Sequence, residues 1–286
     1  MNLFDNIVRQ VLNHQPHLSP LKIVVEKELL HHDILRILSH NGFLNKLTFV
    51  DGTCLRSCYG NNRLSEDLDF NGGADFKKNS LSELSQVLIK NLHDKYDLPV
   101  EVSEPLKEKS NVDTWKIKVQ TRPQQKNIPN QRINIDICSV PSYEKVPMML
   151  LNHYNIDMGT SGLIIHAQSR EEIYTDKLIA FAFRPNRIKY RDLWDILWLH
   201  QQGLKPKFEL IPLKLKDRHH TLPHFLTLFE NRKTSLNNPL METEFKNEMK
   251  RFLEQSQINT VLNQKDLWVF INYLMNDLFN QIKENF

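Results

Sequence analysis

Cysteine is scarce in this 286-residue chain, membrane-length apolar runs are missing, and the charge imbalance is slight. The three cysteines, Cys54, Cys58 and Cys138, are odd in number and stand in no Cys-x-x-Cys or histidine-paired spacing. That spacing speaks against a disulfide framework and against a zinc site, and leaves them as small apolar core residues. No stretch approaches the roughly 18 apolar residues of a membrane span. Residues Met1 to Arg9 have neither the basic start nor the apolar run of a secretory signal, so the expectation is a cytoplasmic protein with no membrane partner. A formal net charge of +3 is too small to point to nucleic acid by itself. Internal repeats and low-complexity segments are also missing.

What is present is the composition of a folded protein, 40% hydrophobic and 25% charged, long enough for one large domain or two ordinary ones. Residues 22–41 carry Ile23, Leu30, Ile34 and Leu38 at helical period and stop at Gly42, which predicts a helix. Leu47–Val50 predicts a short strand, Asp51-Gly52 a tight turn, and Thr53–Tyr59 a short helix with Thr53 as N-cap and Gly60 as stop. Leu64–Phe70 alternates, and Leu81, Leu84, Leu88 and Leu92 predict a helix over 80–95. Residues 114–122 and 132–138 alternate on either side of a proline-flanked loop and predict a hairpin. From about Ser169 the pattern becomes helical, with helices over 171–183, 190–202 and 265–284. The expected division is a mixed α/β domain over 1–165 and a helical domain over 166–286.

The chemistry concentrates in Ser65-Glu-Asp-Leu-Asp69. If that segment is extended, Ser65, Asp67 and Asp69 share one face. Two carboxylates about 4 Å apart repel by something like 4 kcal/mol at an effective dielectric near 20, so such a pair favours a cation between them. Mg²⁺, or Mn²⁺ in its place, suits oxygen donors and shared phosphate ligands. Asp136 alternates with Ile133, Ile135 and Ile137 and adds a third carboxylate to the metal set Asp67, Asp69 and Asp136. Gly52 lets a phosphate approach the backbone, while the Thr53 hydroxyl and the helix-start N–H groups offer it donors; Ser65 is a further phosphate or metal-shell candidate. Arg184, Arg187, Lys189 and Arg191 form a basic cluster suited to a triphosphate or an RNA backbone.

The stretch Phe49 to Phe70 resembles the signature of the AbiEii/AbiGii toxin family of nucleotidyltransferases: a Gly-Thr turn (Gly52, Thr53), an aromatic residue and glycine (Tyr59, Gly60), Arg63, then Ser-Glu-Asp-Leu-Asp. A second likeness covers the Lys177-bearing segment and Arg191-Asp-Leu-Trp-Asp-Ile196. One departure is Asp51, where family members often have glycine. The resemblance implies a polymerase-β-like nucleotidyltransferase core with a small mixed sheet and a C-terminal helical domain. It implies NMP transfer from an NTP to an acceptor hydroxyl, with Lys177 on the nucleotide phosphates and Asp192, less firmly Asp195, completing the site. It further implies a tRNA or other acceptor and a cognate antitoxin. Set against this are plainer readings: Asp192 and Asp195 as surface salt-bridge formers, the His31-His32 and His219-His220 doublets as surface pairs, and the whole chain as a catalytically idle nucleic-acid-binding module.

Overall fold

The computed structural model describes residues 2–105, 111–125, 127–185 and 187–286. It divides into two compact units, Met1–Gln168 and Ser169–Phe286.

The first unit contains α1 (Leu3–His14), α2 (Lys22–His40), β1 (Thr48–Val50), α3 (Asp51–Tyr59), β2 (Leu68–Asn71), α4 (Leu84–Tyr96), β3 (Val100–Ser103), β4 (Val112–Val119), β5 (Gln131–Cys138), β6 (Lys145–Met149) and β7 (Ile164–Gln168). The strands form one seven-stranded sheet in the order β3-β4-β5-β2-β1-β7-β6. The β2–β5 and β1–β7 pairs are parallel and the others antiparallel. The sheet is mixed, as expected, but wider than the residue pattern suggested: β3, β6 and β7 are only four or five residues long, too short to stand out by alternation.

Alternation fixes which face is covered. Trp115, Ile117 and Val119 of β4 and Ile133, Ile135 and Ile137 of β5 are all buried, and the helices α2 and α4 lie against this part of the sheet. Leu81, Leu84, Leu88 and Leu92 supply the apolar stripe of the α4 region. Its first turn is a separate 3₁₀ segment, Lys78–Leu81. The opposite face of β4 and β5 presents Thr114, Lys116, Lys118, Arg132, Asn134 and Asp136, all exposed or half-buried.

Helix α2 departs from a simple amphipathic stripe. Ile23 is 64% exposed, whereas Glu26, Glu28, His31, His32 and Asp33 are buried. The His31-His32 pair therefore lies inside the molecule and not on its surface, because the helix is packed on more than one side and its polar residues find partners there. Glu26 binds Arg122 at 2.5 Å and Gln131 at 2.6 Å, and Asp33 takes Lys95 at 2.6 Å together with the Tyr96 hydroxyl. Buried polar groups are tolerated where such partners exist. Burial pushes the His32 imidazole down to about 4, so it is neutral at ordinary pH, with Nδ1 on the Thr160 hydroxyl at 3.0 Å.

The second unit is helical: α5 (Arg170–Phe183), α6 (Tyr190–Gln201), α7 (Ile211–Asp217), α8 (Leu222–Ser235), α9 (Pro239–Met249), the single turn α10 (Gln255–Gln257) and α11 (Leu267–Asn285). Ser169 caps α5 by accepting from the Glu172 N–H. Phe181, Phe225, Phe229 and Phe279 pack ring against ring in its core. No helix among the described residues is long and apolar enough to cross a membrane.

Candidate active site

The acid-bearing strands meet in register. β2 lies between β1 and β5, with Asp69 opposite Val50 on one side and Asp136 on the other. Adjacent residues in register project to the same face, about 5 Å apart across the strands. Asp69 and Asp136 are thus neighbours on the open face, both half-buried. Asp136 accepts a 2.6 Å hydrogen bond from Thr114, its cross-strand partner on β4. Thr114 orients that carboxylate, a role that the sequence pattern alone did not reveal.

Asp67 stands just before β2. The strand begins at Leu68, so Leu64–Asp67 is not extended sheet as the alternation suggested. The Asp67 carboxylate accepts from the Asn134 backbone N–H at 3.1 Å and closes the end of the β2–β5 ladder. Around it, α2 and α3 hold the segment Ser65-Glu66-Asp67 by several bonds. Glu28 accepts from the Ser65 N–H at 2.8 Å, Lys27 pairs with the Glu66 side chain at 2.8 Å, and His31 Nε2 meets the Glu66 carbonyl at 3.0 Å. A carbonyl can only accept, so His31 carries its proton on Nε2. Burial pushes the His31 pKa down, in keeping with a neutral ring.

Thr53 is buried and is not the N-cap: α3 starts at Asp51, with Val50 at the cap position and no side-chain cap. The Thr53 hydroxyl sits 2.6 Å from Ser65 Oγ and is also hydrogen-bonded to the Asp67 carbonyl. Its single proton goes to the carbonyl, which leaves Ser65 as the donor to Thr53. Both hydroxyls therefore fasten α3 to the aspartate segment.

Asp51 has φ +62°, a conformation glycine adopts without steric cost and other residues seldom adopt. This gives a physical reason for the glycine usual there in the family pattern. At Gly52 an added Cβ would lie 2.1 Å from Arg63 Nη2. Arg63 is itself buried and donates to the Leu64 carbonyl at 3.2 Å, so it has little room to retreat. Gly52→Ala should lower stability by about 1–3 kcal/mol through overpacking, visible as a reduced thermal midpoint.

Glu28 anchors this framework. Its carboxylate also meets Arg56 Nε at 3.2 Å and the Tyr154 hydroxyl. Burial pushes the Glu28 carboxyl up, but Arg56, Tyr154 and the Ser65 amide outweigh it and the net displacement is downward. A lowered folded-state pKa contributes stability that is complete above the unfolded value, about 4.3, and is lost as pH falls through the folded value. Glu28→Gln should cost about 2 kcal/mol at pH 7, with the difference from the parent shrinking at the acid end of a denaturation series.

In the second unit, Lys177, Asp192 and Asp195 are buried together. Lys177 Nζ lies 2.7 Å from Asp192 and 2.8 Å from Asp195, and Arg184 meets Asp192 at 2.6 Å. The two aspartates are not surface salt-bridge formers, and Lys177, which has no acidic neighbour one turn away, finds its partners 15 and 18 residues on. The basic cluster is only partly free. Arg184 is engaged as described, and Arg191 lies over the Phe252 ring at 4.6 Å and faces Glu248 at 3.7 Å. Arg187 is exposed. A second buried set, Lys214 with Glu172 at 2.6 Å and Asp176 at 2.8 Å, was not anticipated from the sequence. Cys54 and Cys58 are buried and Cys138 half-buried; burial pushes the Cys54 thiol well up, which makes it unreactive.

A mixed sheet with aspartates in register on its open face, beside a strand–glycine–helix turn, is the framework of a nucleotidyltransferase. The sequence matches the family model "Nucleotidyl transferase AbiEii toxin, Type IV TA system" over residues 33–269, and the chain belongs to that family. It is accordingly a transferase of nucleotidyl groups and a component of a toxin–antitoxin system. No curated protein matches the sequence. Among solved structures, the fold is similar to MenT4, a nucleotidyltransferase toxin of Mycobacterium tuberculosis H37Rv, at 16% identity and TM-score 0.57, covering 96% of this chain and 98% of that one. It is also similar to JHP933 of Helicobacter pylori, at 17% identity and TM-score 0.50, covering 91% and 95%.

Proposed function

We propose that the protein transfers an NMP from an NTP to an acceptor hydroxyl, RNA such as tRNA or a protein, using Mg²⁺ or Mn²⁺ held by Asp67, Asp69 and Asp136, and that it is the toxin countered by a cognate antitoxin. The observation that carries this reading is the register of Asp69 with Asp136 on an open sheet face, with Asp67 at the end of the same ladder. These are hard oxygen donors at half-buried positions, the set that suits Mg²⁺. A divalent ion bound there would neutralise charge on the phosphates and the attacking oxygen. In the reaction, the acceptor oxygen bonds to the α-phosphorus, the bond from that phosphorus to the β-phosphate oxygen breaks, and pyrophosphate leaves with the hydroxyl proton passing to solvent.

The protein's own contribution is positioning. Thr114 orients Asp136; Thr53 and Ser65 fix Asp67. Phosphate contacts at the α3 start fall to backbone N–H groups near Gly52 and Thr53, since the Thr53 proton is committed to Asp67. For the second unit, the family pattern implies phosphate contact by Lys177 and a site completed by Asp192 and, less firmly, Asp195; both carboxylates pair with the Lys177 ammonium, and exposed Arg187 is a further candidate cation.

Incubation of the purified chain with each NTP, labelled at the α or the γ phosphate, and bulk tRNA or cell protein tests the reading. Label should pass to the acceptor from the α position only, and EDTA should abolish transfer. Transfer of γ label would mean a phosphotransferase, and no metal-dependent transfer from any NTP would remove the proposal.

A further inference from the structure

We infer that the polar face of the β3–β4–β5 meander is a track for the phosphate backbone of a polynucleotide, with Lys116 and Arg132 as its principal contacts. That this polynucleotide is the acceptor rests on the nucleotidyl-transfer reading; its binding as a polyanion does not.

Register builds the track. On the open face, Thr114 pairs with Asp136, Lys116 with Asn134 and Lys118 with Arg132. Successive rows are about 7 Å apart along the strands. The catalytic-face carboxylate is therefore followed by a polar row and then by a basic row. Beside the first residues of β2 and β5 lies a groove of about 500 Å³, whose lining includes Asp67, Asn134 and the four cations Lys27, Lys116, Lys118 and Arg132. Two carboxylates, Asp67 and Glu101, line it with them. Of the cations, Lys27 is paired with Glu66 at 2.8 Å and Lys118 with Glu101 at 3.1 Å. Lys116 and Arg132 are exposed and make no ion pair among the described residues. They are the charges left over for a ligand.

The groove does not end there. A second depression of about 620 Å³ shares Lys27 and Arg132 with the first and continues past Ile23 and Ile128. These two side chains are 64% and 38% exposed. A mononucleotide would leave most of this length empty, whereas a polymer fills it, with phosphates on the cations and a sugar or base against the two isoleucines. Among the lining residues of both depressions there is no aromatic ring. Base stacking of the kind that gives single-strand platforms their grip is thus missing, and recognition through charge is salt-dependent and indifferent to sequence.

The test uses the full chain, a fluorescein-labelled bulk tRNA and a labelled 20-nucleotide oligouridine, read by anisotropy over a salt series without NTP or divalent metal. The parent should bind both RNAs. Lys116→Glu with Arg132→Glu should weaken both by at least about 10-fold and lower the slope of log affinity against log salt by about 1 to 2. NTP affinity and the thermal midpoint should stay as in the parent, and Lys145→Glu, on the far edge strand β6, should behave as the parent. A parent that binds neither RNA, or a double variant with unchanged affinity and slope, overturns the inference. Transfer to protein alone, with no RNA bound, does so too while leaving nucleotidyl transfer intact. RNA binding that depends on Lys116 and Arg132, in a chain that transfers nothing, sustains the track and removes the proposed reaction instead.

Discussion

Asp69→Asn is expected to reduce nucleotidyl transfer by at least about 10³-fold, equivalent to about 4 kcal/mol of transition-state stabilisation, while the chain remains folded. In the proposed metal set, Asp69 stands on β2, between β1 and β5, in register with Asp136. Asparagine keeps the shape and one oxygen acceptor but removes the charge that attracts a divalent cation. Because the position is half-buried on an open face, the substitution removes like-charge repulsion instead of burying a new polar group, and the thermal midpoint should hold or rise slightly. Asp136→Asn should follow the same course, and Thr114→Val should give a smaller loss, since it removes one hydrogen bond that orients the Asp136 carboxylate and leaves the carboxylate in place. Single-turnover rates with saturating NTP, alongside a denaturation midpoint, separate the two effects. In cells, Asp69→Asn should relieve any growth arrest caused by the parent. Full transfer by Asp69→Asn would place the metal elsewhere.

The core of this arrangement was legible in the sequence because strand alternation is a local signal. Ile133, Ile135 and Ile137 against Asn134 and Asp136 fixed both the strand and its faces, and the hairpin partner followed from the same rule over 114–122. The supports were less legible. Glu28 and His31 are one turn apart on α2 and bind residues 65 and 66, contacts made across more than 30 positions of chain. Nothing in a helical period distinguishes a buried glutamate with three partners from a solvated one. The only hint was that α2 has polar residues on every side, so its packed faces had to include some of them. Thr53 illustrates the limit from the other direction. Gly52-Thr53 after a strand has the composition of a capped helix start, but the chain enters α3 two residues earlier through a left-handed Asp51, which moves the hydroxyl from cap to tether. The charge cluster on α5 and α6 shows the same thing at longer range, since Lys177 gains its meaning from residues in the next helix.

That cluster carries the largest expected effect on folding. Lys177→Ala should destabilise the chain by about 3–5 kcal/mol, because it leaves two buried aspartates without the ammonium between them. Lys177 is 2% exposed and Asp195 not at all, and Arg184 meets Asp192 from the other side. Part of the loss should be recovered by adding Asp195→Asn or Asp192→Asn, since each removes one of the two buried charges that Lys177 neutralises. Urea denaturation of the single and double variants measures each value, and the coupling follows from the cycle. The same geometry bears on chemistry. An ammonium already shared between two carboxylates presents little net field to a triphosphate, so a phosphate contact by Lys177 requires one aspartate to exchange it for another partner. A purely functional lysine would lose activity on substitution with its midpoint unmoved. If Lys177→Ala leaves the urea midpoint where it was, the ion pairs contribute nothing and the residue answers to the substrate alone; if the midpoint falls as expected, any loss of transfer has to be judged in whichever double variant recovers most of the midpoint, where the phosphate contact is still absent.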